Sequence, residues 1–127
     1  NIKHDISLPV SAIPAFCAQT EGRLQQAFLG VRLVNFGHLG DGNIHYNISQ
    51  PVGMDKAAFL DMWNEMNDVV FEVVGRFKGS ISAEHGVGEL KVDKLPLYKD
   101  PTALAMMRAV KQALDPHNLL NPGRVLG

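Results

Sequence analysis

The stretch GHLGDGNIHYN, residues 37–47, predicts a tight β-hairpin that brings two histidines together. Asp41-Gly42 is a favoured central pair for a two-residue type I′ turn, in which both positions need positive φ. Counting outward from that turn predicts that His38 lies directly opposite His45, with Cβ atoms roughly 4.5–5.5 Å apart. Two imidazoles in that arrangement can hold one metal ion.

The second strand of this hairpin alternates between two kinds of side chain. Asn43 and Asn47 each lie two residues from His45, so all three should point to one face of the sheet. The opposite face receives the apolar and aromatic side chains of Ile44, Tyr46 and Ile48. We therefore expect one polar face that is equipped for chemistry and one apolar face that packs on a core.

A second candidate segment is GSISAEHGVG, residues 79–88. Glu84 can supply a carboxylate ligand, and a set of two histidines and one glutamate suits zinc or a similar divalent ion. The next residue, His85, would be a base whose charge changes near neutral pH. Gly86 and Gly88 would let a substrate or cofactor approach the backbone closely. The two segments are far apart in sequence, so only folding can join them.

Length and composition exclude several classes of protein. A length of 127 residues predicts one domain. The net charge is −1 and the sequence has no basic block, so we do not expect it to bind nucleic acid. It shows no secretory signal and no long apolar run, so we expect no transmembrane segment. The single Cys17 fits a reducing compartment, which predicts a cytoplasmic location, at most peripheral to a membrane electron acceptor. The start at Asn1, within a strand-like segment, suggests part of a longer protein.

The order of predicted elements is β-α-β-β-α-β-α. The clearest helix is Lys56–Phe77, whose apolar residues recur every three or four positions. The first six elements match a ferredoxin-like βαββαβ unit, an α+β fold in which helices cover one face of an antiparallel sheet. The remaining predicted elements are strands at 4–9, 31–36, 42–49 and 80–84, a helix after the cap residue Ser11, and a C-terminal helix at 101–114.

Several motifs together resemble the C-terminal part of the FAD-linked oxidase family. They are Lys3-His4-Asp5, GHLGDGNIHYN, GSISAEHGVG and LDPHNLLNPGR. Among the vanillyl-alcohol-oxidase-like flavoproteins, the chain is most similar to D-2-hydroxyacid dehydrogenases, which act on lactate, glycolate or 2-hydroxyglutarate. The resemblance covers nearly the whole chain and implies that residues 1–127 form the C-terminal half of a cap domain, the substrate domain. The domain that binds most of the FAD would lie outside this chain.

The resemblance also implies a catalytic constellation. His38, His45 and Glu84 would be the ligands of a divalent metal, with zinc expected first, and His85 would be the general base. The metal would lower the pKa of the hydroxyl group of a D-2-hydroxy acid, and His85 would take its proton. FAD would accept the hydride from C2 of the substrate. The isolated chain is then expected to be inactive and to hold FAD weakly.

Three more residues have implied roles. Lys3 would pair with the substrate carboxylate, Asn47 would contact the substrate, and Asn121 would approach the flavin. The implied partners are a small 2-hydroxy acid and the FAD-binding domain of the same protein. Half of a cap domain should also expose an apolar face, which a homodimer would cover. His4 and His117 are expected to be surface or capping residues.

Each of these residues also has a purely structural interpretation. The paired histidines could be a polar pair beside a turn, Glu84 an exposed carboxylate, and His85 a hydrogen-bonded loop residue. Asn47 could be a cross-strand amide, and Lys3 a solvated lysine. The alternative for the whole chain is a non-catalytic metal-binding or assembly module that retains the family motifs.

Overall fold

A computed structural model describes residues 1–127, which form two compact units, residues 1–84 and residues 85–127. The first unit contains strands β1 (Ile2–Ser7), β2 (Arg32–His38) and β3 (Asn43–Ser49), and helices α1 (Ile13–Ala27), α2 (Lys56–Asp61) and α3 (Trp63–Arg76). The second unit contains helices α4 (Leu95–Tyr98) and α5 (Pro101–Leu114). None of these helices combines the length and the apolar composition that crossing a bilayer requires.

The three strands form an antiparallel sheet in the order β1-β3-β2, which confirms the predicted α+β class. The predicted fourth strand at 80–84 is reduced to a single antiparallel bridge between Ser80 and Ser7. Two backbone hydrogen bonds of 3.1 and 2.8 Å form this bridge. The pairing stops there because the backbone N–H groups of Ala83 and Glu84 donate to the carboxylate of Asp5 instead of to a neighbouring strand.

The core of the first unit lies between one face of the sheet and the helices α1 and α3. Tyr46 of β3 is fully buried, and its ring packs edge-on against Phe16 of α1 at 5.4 Å between centroids. Burial of apolar surface on this face supplies the main driving force for folding of the unit. The predicted apolar face of β3 is confirmed, since Ile44, Tyr46 and Ile48 are all buried, and Asn43 and Asn47 on the other face are buried as well.

The predicted helix Lys56–Phe77 is divided at Met62. The backbone N–H of Met62 donates to the carbonyl of Phe59, three residues back, at 3.2 Å, so the regular α-helical pattern is interrupted there. Asp55 caps α2 by accepting a hydrogen bond from the backbone N–H of Ala58 at 3.0 Å. The apolar periodicity does not reveal the break, because buried positions continue on both sides of it, at Phe59, Met66, Val70, Val73 and Val74.

The expectation that His4 lies at the surface is wrong, because its side chain is only 1% exposed. Its Nδ1 donates to the carbonyl oxygen of Tyr46 at 2.9 Å, and its Nε2 hydrogen-bonds the side-chain amide of Asn67 at 2.7 Å. The imidazole also packs edge-on against Phe71, with 5.5 Å between ring centroids. A buried polar ring is tolerated here because both nitrogens have partners. His117, in the second unit, is exposed as expected.

The second unit is organised around α5. Asp100 caps this helix by accepting a hydrogen bond from the backbone N–H of Ala103 at 2.9 Å. After the helix, the buried Asp115 accepts hydrogen bonds from the backbone N–H groups of Leu119 and Leu120 at 2.8 and 2.9 Å and from the Lys111 ammonium. The hydrogen bond from Lys111 is the main cause that lowers the pKa of Asp115 to about 2.

Candidate metal and substrate site

The hairpin is real, but its predicted register is wrong. His38 lies opposite Asn43, and Phe36 is the residue that lies opposite His45. The connection between the strands has four residues, because residues 39–41 form a 3₁₀ turn and Gly42 follows in the left-handed region with φ of 78°.

Two interactions explain the longer connection, one within the turn and one with Leu8 before the first helix. Asp41 accepts a hydrogen bond from the backbone N–H of Asn43 at 3.0 Å, so it acts as a turn residue without adopting positive φ. Gly42 also runs very close to Leu8, since a Cβ at Gly42 would lie 2.0 Å from the Leu8 carbonyl oxygen. Only glycine fits both the positive φ and this close approach.

The register differs from the predicted one by two residues, so every side chain keeps its predicted face. His38 and His45 are therefore diagonal neighbours on the same face instead of a directly opposed pair. Their ring centroids are 6.4 Å apart and the rings are nearly perpendicular. The prediction that the hairpin brings both histidines to one face is confirmed.

Glu84 joins the two histidines, as the sequence predicted. Its Oε1 lies 2.9 Å from Nδ1 of His38, and its Oε2 lies 3.9 Å from Nε2 of His45. The side-chain amide of Asn43 donates a short hydrogen bond to Oε1 of the same carboxylate. Two imidazoles and one carboxylate thus converge on one face of the sheet, and Asn43 helps to orient the carboxylate.

These three side chains fit a divalent metal by the chemistry of their donor atoms. Zinc and related ions take histidine nitrogens and carboxylate oxygens, and catalytic sites commonly use three protein ligands so that one position stays open. The side chains of His38 and Glu84 are 65% and 43% exposed, whereas that of His45 is 18% exposed. A small ligand can therefore reach the cluster from the His38 side.

Asp5 is a component of this site that the sequence analysis missed. Its Oδ2 accepts hydrogen bonds from the backbone N–H groups of Ala83 and Glu84 at 3.1 and 2.8 Å. Its Oδ1 lies 3.8 Å from Nδ1 of His45, and the residue is 4% exposed. The available signal was the spacing of two between Asp5 and Lys3, which puts both on one face of β1.

The two predicted substrate contacts are direct neighbours across the sheet. Lys3 of β1 lies opposite Asn47 of β3, two residues along from the pair formed by Asp5 and His45. Because strand residues two apart share a face, all four residues belong to the polar face of the sheet. Lys3 is exposed, and Asn47 is 7% exposed.

Phe36 is a second component that the sequence analysis did not single out. Its ring lies 5.1 Å from that of His45, at an interplanar angle of 40°, and 58% of the residue is exposed. Such an exposed aromatic ring provides an apolar wall beside the histidine. The alternation of β2 could have indicated it, since Phe36 and His38 are two residues apart.

The other predicted site residues belong to the second unit. His85 is its first residue and is joined to Glu84 by a peptide bond. Gly86 and Gly88 follow with φ of 77° and 58°, which is backbone that glycine adopts readily. Asn121 is exposed with φ of 48°, and its carbonyl accepts a hydrogen bond from the backbone N–H of Arg124 at 3.2 Å. The functional roles of His85 and Asn121 stay predictions.

Comparison with known protein families gives a match over almost the whole chain. The family model described as FAD linked oxidases, C-terminal domain, matches residues 1–125. This range includes both the histidine hairpin and the segment that carries Glu84.

Several curated relatives are similar to this chain along nearly all of its length. A D-2-hydroxyglutarate dehydrogenase of Xanthomonas citri pv. viticola is 42% identical over 123 residues, which cover 97% of this chain and 26% of the relative. The mitochondrial D-2-hydroxyglutarate dehydrogenase of Arabidopsis thaliana is 40% identical over 124 residues, or 98% of this chain and 21% of the relative. That of Bos taurus is 36% identical, with 98% and 22% covered. The chain thus spans about a quarter of the length of these relatives, or less.

Proposed function

The chain belongs to the FAD linked oxidases, as a C-terminal domain of that family, and from this premise we propose that it is the C-terminal half of the cap domain of a flavin-dependent D-2-hydroxyacid dehydrogenase. The whole protein would oxidise a D-2-hydroxy acid to the 2-oxo acid and transfer the hydride to FAD. The observation that carries this proposal is the convergence of His38, His45 and Glu84 on one sheet face. D-2-hydroxyglutarate is the first substrate to test, because the relatives carry its name.

The proposed metal ligands are His38, His45 and Glu84. A divalent ion held there, zinc by expectation, would act as a Lewis acid that lowers the pKa of the substrate hydroxyl. The chain's own contribution is to hold three donors on two strands and one loop, with Asn43 orienting the carboxylate. Such outer partners of metal ligands fix ligand orientation.

Lys3 and Asn47 are the proposed substrate contacts. The Lys3 ammonium would pair with the substrate carboxylate, and the Asn47 amide would hydrogen-bond the same molecule. Their direct opposition on the polar face supports this proposal, because both side chains then approach a ligand from adjacent strands. The exposed ring of Phe36 would bound the ligand on its apolar side.

His85 is the proposed general base. It would take the hydroxyl proton while the hydride leaves C2 for the flavin, so the substrate loses two electrons and two hydrogens. Its position next to Glu84 in the chain ties the base to a proposed metal ligand. The FAD-binding domain would be contributed by the rest of the protein, and Asn121 would approach the flavin. A cytoplasmic location and a homodimer stay predictions.

The proposal is tested by comparing two histidine variants in the full-length protein. We expect His45→Ala to lose both the metal and the activity, because it removes a ligand. We expect His85→Ala to retain metal and flavin but to lose turnover by roughly 10²–10⁴-fold, the usual contribution of a positioned base. Elemental analysis measures the metal, and steady-state flavin reduction by D-2-hydroxyglutarate, D-lactate or glycolate measures turnover.

His117→Ala is the matched control, because His117 is an exposed histidine and should change neither quantity. Loss of metal from His85→Ala together with its retention in His45→Ala would show that the role assignment is wrong. A wild-type protein that binds metal but reduces flavin with none of these acids would support the alternative, a non-catalytic metal-binding or assembly module.

A further inference from the structure

We infer that Asp5 is a positioning residue that sets the orientation of two of the three proposed metal ligands, Glu84 and His45. The inference rests on the proposed function, since it concerns the same metal site. It assigns a role to a carboxylate that is not itself among the proposed ligands.

The first part of this role is a backbone clamp. Residues 81–84 do not continue the sheet beyond the Ser80 bridge, so strand pairing does not hold Glu84 in place. Asp5 Oδ2 instead accepts the N–H groups of Ala83 and Glu84 at 3.1 and 2.8 Å. Two hydrogen bonds to one side-chain oxygen thus fix the backbone from which the Glu84 side chain extends.

The second part concerns the tautomer of His45. Nε2 of His45 faces the Glu84 carboxylate at 3.9 Å, so Nε2 is the nitrogen that would bind the metal and must be free of hydrogen. The hydrogen then belongs on Nδ1, which lies 3.8 Å from Asp5 Oδ1. This distance is longer than a hydrogen bond, but a nearby carboxylate favours the tautomer with hydrogen on Nδ1. One buried carboxylate thus acts on two ligands from different elements.

The decisive variant is Asp5→Asn. Asparagine can still accept the two backbone N–H groups through its carbonyl oxygen, so the clamp is retained. Its NH₂ group would then face Nδ1 of His45, where two hydrogen donors oppose each other, and this favours the tautomer with hydrogen on Nε2. We expect affinity for Co²⁺, measured by chelator competition in the full-length protein, to fall by about 10–100-fold. The visible absorption of bound Co²⁺ should also change, since it reports ligand geometry.

Asp115→Asn is the matched control. Asp115 is a buried aspartate that also accepts two backbone N–H groups, but its third partner is a lysine instead of a histidine. It should lower the melting temperature without changing Co²⁺ affinity or the Co²⁺ spectrum. If Asp5→Asn does not fold, Asp5→Ser replaces it. A serine hydroxyl can accept one backbone N–H but lacks the carboxylate that faces His45, so the same loss of Co²⁺ affinity is expected.

The outcomes separate this inference from the proposed function. A wild-type protein that binds no Co²⁺, or a His38→Ala variant that binds it as tightly as wild type, overturns the proposed metal site and the inference with it. Normal binding by wild type, loss in His38→Ala and unchanged affinity in the folded Asp5 variant overturn the inference alone. Loss of affinity in the Asp5 variant, with Asp115→Asn unchanged, supports it.

Discussion

The two faces of the sheet in the first unit carry opposite kinds of side chain, although the same strands supply both. On the apolar face, Tyr46 is fully buried and packs on Phe16. On the polar face, His38, His45 and Glu84 are partly exposed and lie next to one another. Because successive side chains of a strand point to opposite faces, the residues that stabilise the fold are separated from those that can bind a ligand. Substitutions on one face should therefore have a limited effect on the residues of the other face.

Two histidines show the same contrast within one residue type. His4 lies on the apolar face, where it is buried and hydrogen-bonded on both ring nitrogens. His38 lies on the polar face, where its ring is mostly exposed and contacts the Glu84 carboxylate. The chemistry of imidazole is the same in both, so the face decides whether the ring supports the fold or can hold a ligand.

The largest expected loss of stability comes from removing an aromatic ring that packs on the apolar face of the sheet. Phe16→Ala should lower the free energy of unfolding by about 3–5 kcal/mol, because it leaves a cavity against Tyr46 and Phe77. Urea denaturation measures this change. Phe36→Ala is the matched control on the polar face. It should lower the free energy of unfolding by about 1 kcal/mol or less, since the ring is largely exposed. Equal losses for the two variants would contradict the separation of the faces.

The next effect concerns His4. His4→Ala should lower the free energy of unfolding by about 2–3 kcal/mol, because it leaves the Tyr46 carbonyl and the Asn67 amide without their histidine partner. Chemical denaturation measures the loss, and metal content should be unchanged. His38→Ala is the counterpart and should lose metal with little change in stability. A His4→Ala variant as stable as wild type would show that these buried hydrogen bonds are dispensable.

A similar effect is expected at the connection between β2 and β3, residues 39–42. Gly42→Ala should cost about 2–3 kcal/mol, because Gly42 needs positive φ and a Cβ at this position would meet the Leu8 carbonyl at 2.0 Å. Gly40→Ala, two residues earlier in the same connection, should be nearly neutral since a Cβ there meets no atom within 4 Å. Thermal unfolding of the two variants gives the comparison. If Gly40→Ala proves the more damaging, the assigned turn geometry is wrong.

The smallest effect concerns Asp115, a buried carboxylate whose described contacts are structural. Its pKa is lowered from 3.8 to about 2, so the unfolded chain binds the proton more tightly. The stabilisation is therefore complete above about pH 4 and is lost as the pH falls towards 2. Exchange protection of the Leu119 and Leu120 amides should decrease over that range. In Asp115→Asn, protection should be lower and nearly independent of pH, and a wild-type profile as flat as that of the variant would contradict this prediction.

Much of the fold and part of the candidate site could be predicted from local sequence patterns. The alternation of β3, the apolar period around α3 and the C-terminal helix at 101–114 all depend on residues within a few positions of one another. The meeting of Glu84 with both histidines was predicted from ligand chemistry and is observed. The turn at 39–42 was not predicted, because a two-residue and a four-residue connection keep the same alternation, and the close approach of Gly42 to Leu8 is not visible in the local pattern.

The sequence by itself determined which residues face which side, because side-chain direction in a strand follows a period of two whatever the register. Only the tertiary structure decided which of them meet. The burial of His4 against Asn67 and Phe71 and the end of strand pairing after Ser80 depend on partners distant in sequence. The position of Asp5 beside both Glu84 and His45 has the same origin. A polar residue is buried only where partners can satisfy it, and those partners are set by packing instead of by local sequence.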